Sequence, residues 1–212
     1  MTVLAAARGR SRWRGLLAVV LGWLSGTGMV HAESGREFSA DVVRTRSGGQ
    51  GETGRLFVGH AGVRSEGMLG GRRVVLLHDF TRKRILVLFP DQKVYVLQDG
   101  VDVRPPPLPD GPDSPCRQQP DRFLCTRAAA PELVDGRTVV RWTVAVKGGT
   151  AGESRELWID PVLQFAIREQ AGETVTALRN IREESHAPEL FALPGDYRQI
   201  AMPTGFVAPA GR

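Results

Sequence analysis

The sequence predicts a mostly β domain with little helix, laid out as an antiparallel meander. Three observations carry this. Strand-type segments follow one another at a spacing of about ten residues, with Gly, Pro and Asp between them. The segments in the middle of the series are apolar at every position. No long amphipathic helix occurs after residue 33 to cover them.

The series begins at Phe38 to Arg46, which alternates in polarity and ends in the breaker Ser47-Gly48-Gly49-Gln50-Gly51. Glu52 to Gly59 and Gly62 to Met68 are the next two strands. Leu69-Gly70-Gly71 turns the chain into Arg72 to His78, Asp79-Phe80-Thr81-Arg82 into Lys83 to Phe89, and Pro90-Asp91-Gln92 into Lys93 to Gln98. A Pro-rich stretch follows from Val101 to Arg122, too dense in proline for strand or helix. Strands resume at Leu133-Val134 and Val139 to Val146, around the turn Asp135-Gly136-Arg137. Glu153 to Ile159, Gln164 to Gln170 and Thr174 to Ile181 complete the set. The last structured feature is a single helical turn near Pro188-Glu189-Leu190-Phe191.

The two kinds of strand have different consequences. Residues 139–146 and 153–159 alternate as half-buried strands do. Val74-Val75-Leu76-Leu77, Ile85 to Phe89 and Val94 to Leu97 need cover on both faces. A sheet that curls on itself supplies it by enclosing a cavity or core, with the Pro-rich loop as a candidate outer cover. An ordinary packed barrel or sandwich satisfies the same pattern.

Met1 to Ala32 reads as a cleavable secretion signal. Arg8, Arg10, Arg12 and Arg14 precede the apolar run Leu16 to Leu24, and Val30-His31-Ala32 resembles a cleavage site. The apolar run is short for a membrane span. The expected organisation is therefore a signal peptide (1–32), a β domain (33–200) with a Pro-rich disulfide loop (101–126), and a loose tail (201–212). The expected location is the periplasm, with no transmembrane segment in the mature chain. The full chain carries 28 basic and 23 acidic residues; without the leader's four arginines the balance is 24 to 23. Bulk charge thus gives no support to a nucleic-acid partner. In an oxidising compartment the two cysteines, Cys116 and Cys125, are expected to pair.

No catalytic constellation stands out. His60, His78 and His186 lack metal-ligand spacing, and no nucleophile elbow or phosphate-binding loop occurs. Asp160 precedes Pro161 and reads as a turn residue. The expectation is a non-enzyme with no cofactor and no metal. Arg72, Arg73, Arg82, Lys83 and Arg84 cluster at strand starts. Gathered at one rim, they would attract anionic headgroups or an acidic partner; as edge charges they would serve solubility.

Three segments resemble the LolA-like superfamily of periplasmic lipoprotein carriers and related domains. Gly54-Arg55-Leu56-Phe57-Val58 with Val63-Arg64-Ser65-Glu66-Gly67 resembles its early strand pair. Glu156-Leu157-Trp158-Ile159-Asp160-Pro161 resembles its Trp-Ile-Asp-Pro hairpin. Leu178-Arg179-Asn180-Ile181, followed by Glu189-Leu190-Phe191-Ala192-Leu193-Pro194-Gly195-Asp196-Tyr197, resembles its closing signature. The chain departs from the carriers at Gly59-His60-Ala61 and in entering a strand directly at Phe38. The resemblance implies a half-barrel, an open and strongly curved antiparallel sheet whose concave apolar face binds lipid or acyl chains. The cavity candidates are then Leu56, Val58, Val75, Leu77, Leu86, Leu88, Val94, Val96, Trp142 and Trp158. The function implied is a carrier of lipid or lipoprotein to the outer membrane. The alternative is an envelope sensing module of the same fold that binds a protein or peptide.

Overall fold

The computed structural model describes residues 36–47, 49, 51–98, 116, 120–149 and 154–201. The expected leader, most of the Pro-rich stretch and the tail beyond Ala201 lie outside these residues.

The chain forms one large, curved, open sheet. Its strands are β1 (Phe38–Arg46), β2 (Glu52–Gly59), β3 (Gly62–Leu69), β4 (Arg72–Asp79), β5 (Arg84–Phe89), β6 (Val94–Gln98), β7 (Phe123–Arg127), β8 (Glu132–Val134), β9 (Arg137–Val146), β10 (Arg155–Asp160), β11 (Phe165–Ala171), β12 (Thr174–Glu183) and β13 (Arg198–Gln199). Short 3-10 turns occur at Pro90–Gln92 and Pro188–Phe191. The meander predicted from Phe38 to Gln98 is present with nearly the expected bounds. One strand was not expected: Phe123–Arg127 follows the Pro-rich stretch and overlaps the end of the loop assigned to 101–126, and it pairs with β9.

The strand order is β13-β6-β5-β4-β3-β2-β1-β12-β11-β10-β9-β7. Two meanders, β1 to β6 and β9 to β12, are joined where β1 pairs with β12. All these pairings are antiparallel except that of β13 with β6. At the far edge β7 and β8 pair with successive parts of β9. Register shifts occur opposite Ser39/Asp41 on β12, where Asn180 has φ 51, and between Trp158 and Ile159 on β10. Such bulges add local twist and help a wide sheet to curve.

Local chemistry explains the turns. Gly70 and Gly71 take φ 56 and 76, the left-handed pair a two-residue hairpin loop requires. Asp79, buried between β4 and β5, accepts hydrogen bonds from the Arg82 backbone N–H (3.0 Å) and the Arg84 Nε (3.1 Å). Asp160 is likewise buried and accepts from the backbone N–H groups of Val162 (2.7 Å) and Leu163 (3.2 Å), with Arg137 alongside. Its carboxylate therefore shapes the β10–β11 turn. Cys116 and Cys125 are joined by a disulfide.

Candidate functional site

The register defines two faces. On one, Ala40, Leu56, Ser65, Leu76, Val87 and Val96 align as a single row across β1 to β6. Val58, Val63, His78 and Ile85 form the adjacent row. The same face continues beyond β1. Arg44 aligns with Thr176, Thr176 with Glu169, Glu169 with Leu157, and Leu157 with Trp142. Three buried groups of side chains lie along it. Val74, Val87 and Val96 form one, Phe38, Ala40, Leu56 and Leu178 another, and Trp142, Val144, Leu157 and Ile159 the third. Among the described residues, Ile200, Leu163 and Cys116 join these groups from outside the strands.

On the opposite face, Val75, Leu77, Leu86 and Leu88 are buried beneath the chain segment that follows β12. Phe191 anchors this cover at 2% exposure, with Leu190, Leu193 and Tyr197 around it. Phe191 rests on backbone: a Cβ at Gly59 would fall 2.6 Å from its ring. The segment is tied at intervals. Arg64 donates to the Leu190 carbonyl (3.3 Å), Lys93 pairs with Asp196 (2.8 Å), and the N–H groups of Arg198 and Ile200 bond to the Lys93 and Tyr95 carbonyls.

Glu37 joins three elements at the start of this cover. Its carboxylate accepts from the His60 backbone N–H (2.8 Å) and the His186 backbone N–H (3.3 Å), and it faces His60 Nδ1 (2.9 Å). Burial opposes its charge, but the hydrogen bonds from His60 and His186 outweigh that and hold its pKa below the ordinary value. His78, on the apolar face, has its pKa lowered by burial and so favours the neutral form.

The ten cavity candidates do not share one face. Leu56, Val58, Val94, Val96 and Trp142 lie on the face that runs from β6 to β9. Val75, Leu77, Leu86 and Leu88 lie on the face under the C-terminal segment. Trp158 alternates with Leu157 along β10 and packs in the buried group of Phe38, Ala40, Leu56 and Leu178; Arg168 stacks over its ring at 4.7 Å and its indole N–H donates to Glu132 (2.8 Å). Strand pairing decides this, since neighbours in a continuous apolar run point to opposite faces.

The five cations also separate. Arg72 and Arg73 open β4, while Arg82, Lys83 and Arg84 follow its far end, about 20 Å along the strand. Arg82 and Arg84 are engaged with Asp79, and Arg73 lies 3.6 Å from Asp91. Arg72 and Arg73 instead sit at the tip of the β3–β4 hairpin. β2–β3 pairing ends at Arg55 with Glu66 and β4–β5 pairing at Val75 with Leu88, but β3–β4 pairing runs on to Leu69 with Arg72. Residues 68–73 therefore run beyond the ladders with β2 and β5, next to the start of β2 at Glu52 and the turn Pro90–Gln92.

The Glu37–His60–His186 junction and the Phe191 socket were not anticipated. Their members are far apart in sequence; only the pairing of Gly59 and Gly62, which leaves room for a ring, hints at the socket. Among the described residues, no group of three or more His, Cys, Asp or Glu is placed to hold a metal ion. No helix among them is long and apolar enough to cross a membrane.

The architecture is thus that of a wide, open, all-β sheet with one face covered by the chain's own C-terminal segment. No protein-family model matches the chain, and no curated protein matches it. Its fold is similar to that of an uncharacterized conserved protein from Thermus thermophilus, at 12% identity and TM-score 0.49, over 80% of this chain and 92% of that one. It is also similar to PNGF-II, at 7% identity and TM-score 0.49, over 80% of this chain but 31% of PNGF-II. A more distant neighbour is a LolA superfamily protein from Nitrosomonas europaea, at 8% identity and TM-score 0.36, over 74% of this chain and 90% of that one.

Proposed function

We propose that this protein works outside the cytoplasm, without catalysis, and holds a lipid, an acyl chain or a lipidated protein on the apolar face of its curved sheet. One observation carries the reading. The sheet is apolar on both faces at β4 to β6: the segment around Phe191 lies on one, and on the other Val74, Val87 and Val96, with Ile200 beside them, form a second buried apolar group. The other face presents the row Leu56, Leu76, Val87 and Val96 and continues to Leu157 and Trp142. Burying apolar surface against a ligand chain is worth about 25 cal/mol per Å². A row that crosses β1 to β6 offers the length an acyl chain needs. The leader pattern and the Cys116–Cys125 bond support export, and the motif resemblance to LolA-like carriers supports delivery to the outer membrane.

The test is native mass spectrometry with lipid extraction on protein recovered from the periplasm without detergent. The expected result is bound phospholipid or acylated peptide, reduced in Val96→Phe, which fills the face. A clean apo mass, with no uptake when lipid is added, would remove the carrier reading.

A further inference from the structure

We infer that the tip of the β3–β4 hairpin is a membrane-surface contact. In this assignment Met68 and Leu69 enter the interfacial layer of a bilayer, and Arg72 and Arg73 meet its anionic headgroups. The placement is the first argument. Residues 68–73 form the hairpin tip at one end of the sheet, where the ladders with β2 and β5 have stopped and Glu52 and Pro90–Gln92 lie alongside. Exposure is the second. Met68 is 60% exposed and Leu69 45%, two consecutive large apolar side chains that the fold leaves in water. Scattered exposed apolar residues are ordinary, but adjacent ones at the tip of a hairpin form a point of entry.

Charge gives the occupant. Arg72 and Arg73 follow the tip directly, both exposed, and the same end of the sheet carries Arg44 and Arg46 at the close of β1. Asp91 beside Arg73 and Glu52 beside Arg44 (3.9 Å) offset part of this charge, so the attraction is modest. Met68 lies opposite Arg73 and Leu69 opposite Arg72, so each apolar side chain has beside it a long cationic one that can reach up to anionic phosphates as the apolar one enters. Added Cβ atoms at Gly70 and Gly71 would meet nothing within 4 Å, so the tip is slim enough to approach a flat surface. This contact does not depend on lipid binding by the apolar face, and the two are read separately.

The experiment is flotation of the periplasmically recovered protein with vesicles of equal phosphatidylglycerol and phosphatidylcholine, and with phosphatidylcholine alone. The expected result is weak binding to the anionic vesicles that falls as salt is raised. Met68→Asp with Leu69→Asp should reduce it about tenfold, and Arg72→Gln should lose about fivefold, the contribution of one cation near such a surface. Equal binding by the wild type and the Met68/Leu69 variant would overturn the inference, as would a wild type that ignores anionic vesicles. Should the double variant lower the melting temperature, Leu69→Trp decides. A blue shift of its emission on adding anionic vesicles supports the contact, and unchanged emission overturns it. Native mass spectrometry of the same preparation reports separately whether the sheet carries lipid.

Discussion

Glu37 sits at the end of the β1–β2 and β1–β12 pairings, where it ties together the entry to β1, the β2–β3 turn at His60 and the extended segment at His186. Because its folded pKa is depressed, its contribution to stability is full above the ordinary glutamate range and is lost as pH falls through the folded value. Glu37→Gln should therefore lower the melting temperature near neutrality, and the difference from wild type should shrink in acid; thermal melts across a pH series would show it. His78 acts in the same direction, since its lowered pKa means the folded state resists protonation and loses stability as pH falls. The Phe191 socket gives a second prediction. Gly59→Ala would drive a methyl group into the ring, and overpacking of this kind costs about 1–3 kcal/mol. Phe191→Leu should partly relieve it, so a melt of the double variant should show less loss than the sum of the two single ones.

At the scale of elements, the strands of the first meander were legible because Gly, Pro and Asp punctuate them and each turn residue has a local job. Gly70-Gly71 and Asp79 serve turns that depend on nothing distant. β7 was not legible. Phe123–Arg127 is five residues long, follows a proline-dense stretch, and becomes a strand by pairing with β9 and by the tether of Cys125 to Cys116. That tether closes a short loop, so replacing both cysteines by serine should cost about 2–3 kcal/mol by the chain-entropy account, read by denaturant titration with and without reductant. The sorting of Val75, Leu77, Leu86 and Leu88 from Val87 and Val96 was also out of reach of pattern. In an unbroken apolar run alternation is invisible, and only the cover by Phe191 tells one face from the other. The motif segments fall on working parts of the fold: Gly54 to Val58 on β2, Trp158 to Pro161 at the β10–β11 turn, and Leu190 to Tyr197 in the cover itself.

For the molecule as a whole, the C-terminal segment is as much a part of the core as any strand. A chain ending before Pro188 should keep β1 to β12 but expose Val75, Leu77, Leu86 and Leu88, and so bind more of a hydrophobic fluorescent dye than the full chain does. The place where β1 meets β12 has a further consequence, which concerns time. Phe38 pairs with Glu183 and Arg46 with Thr174, so the first strand made must wait for nearly the last before its second edge is filled. Each meander can form from neighbours, but the seam between them joins residues separated by most of the chain, and such distant pairing slows folding. A polypeptide that cannot complete its sheet until its far end has emerged stays open while it is being delivered. Under the export proposed above, that delay keeps the chain threadable until it has crossed the membrane.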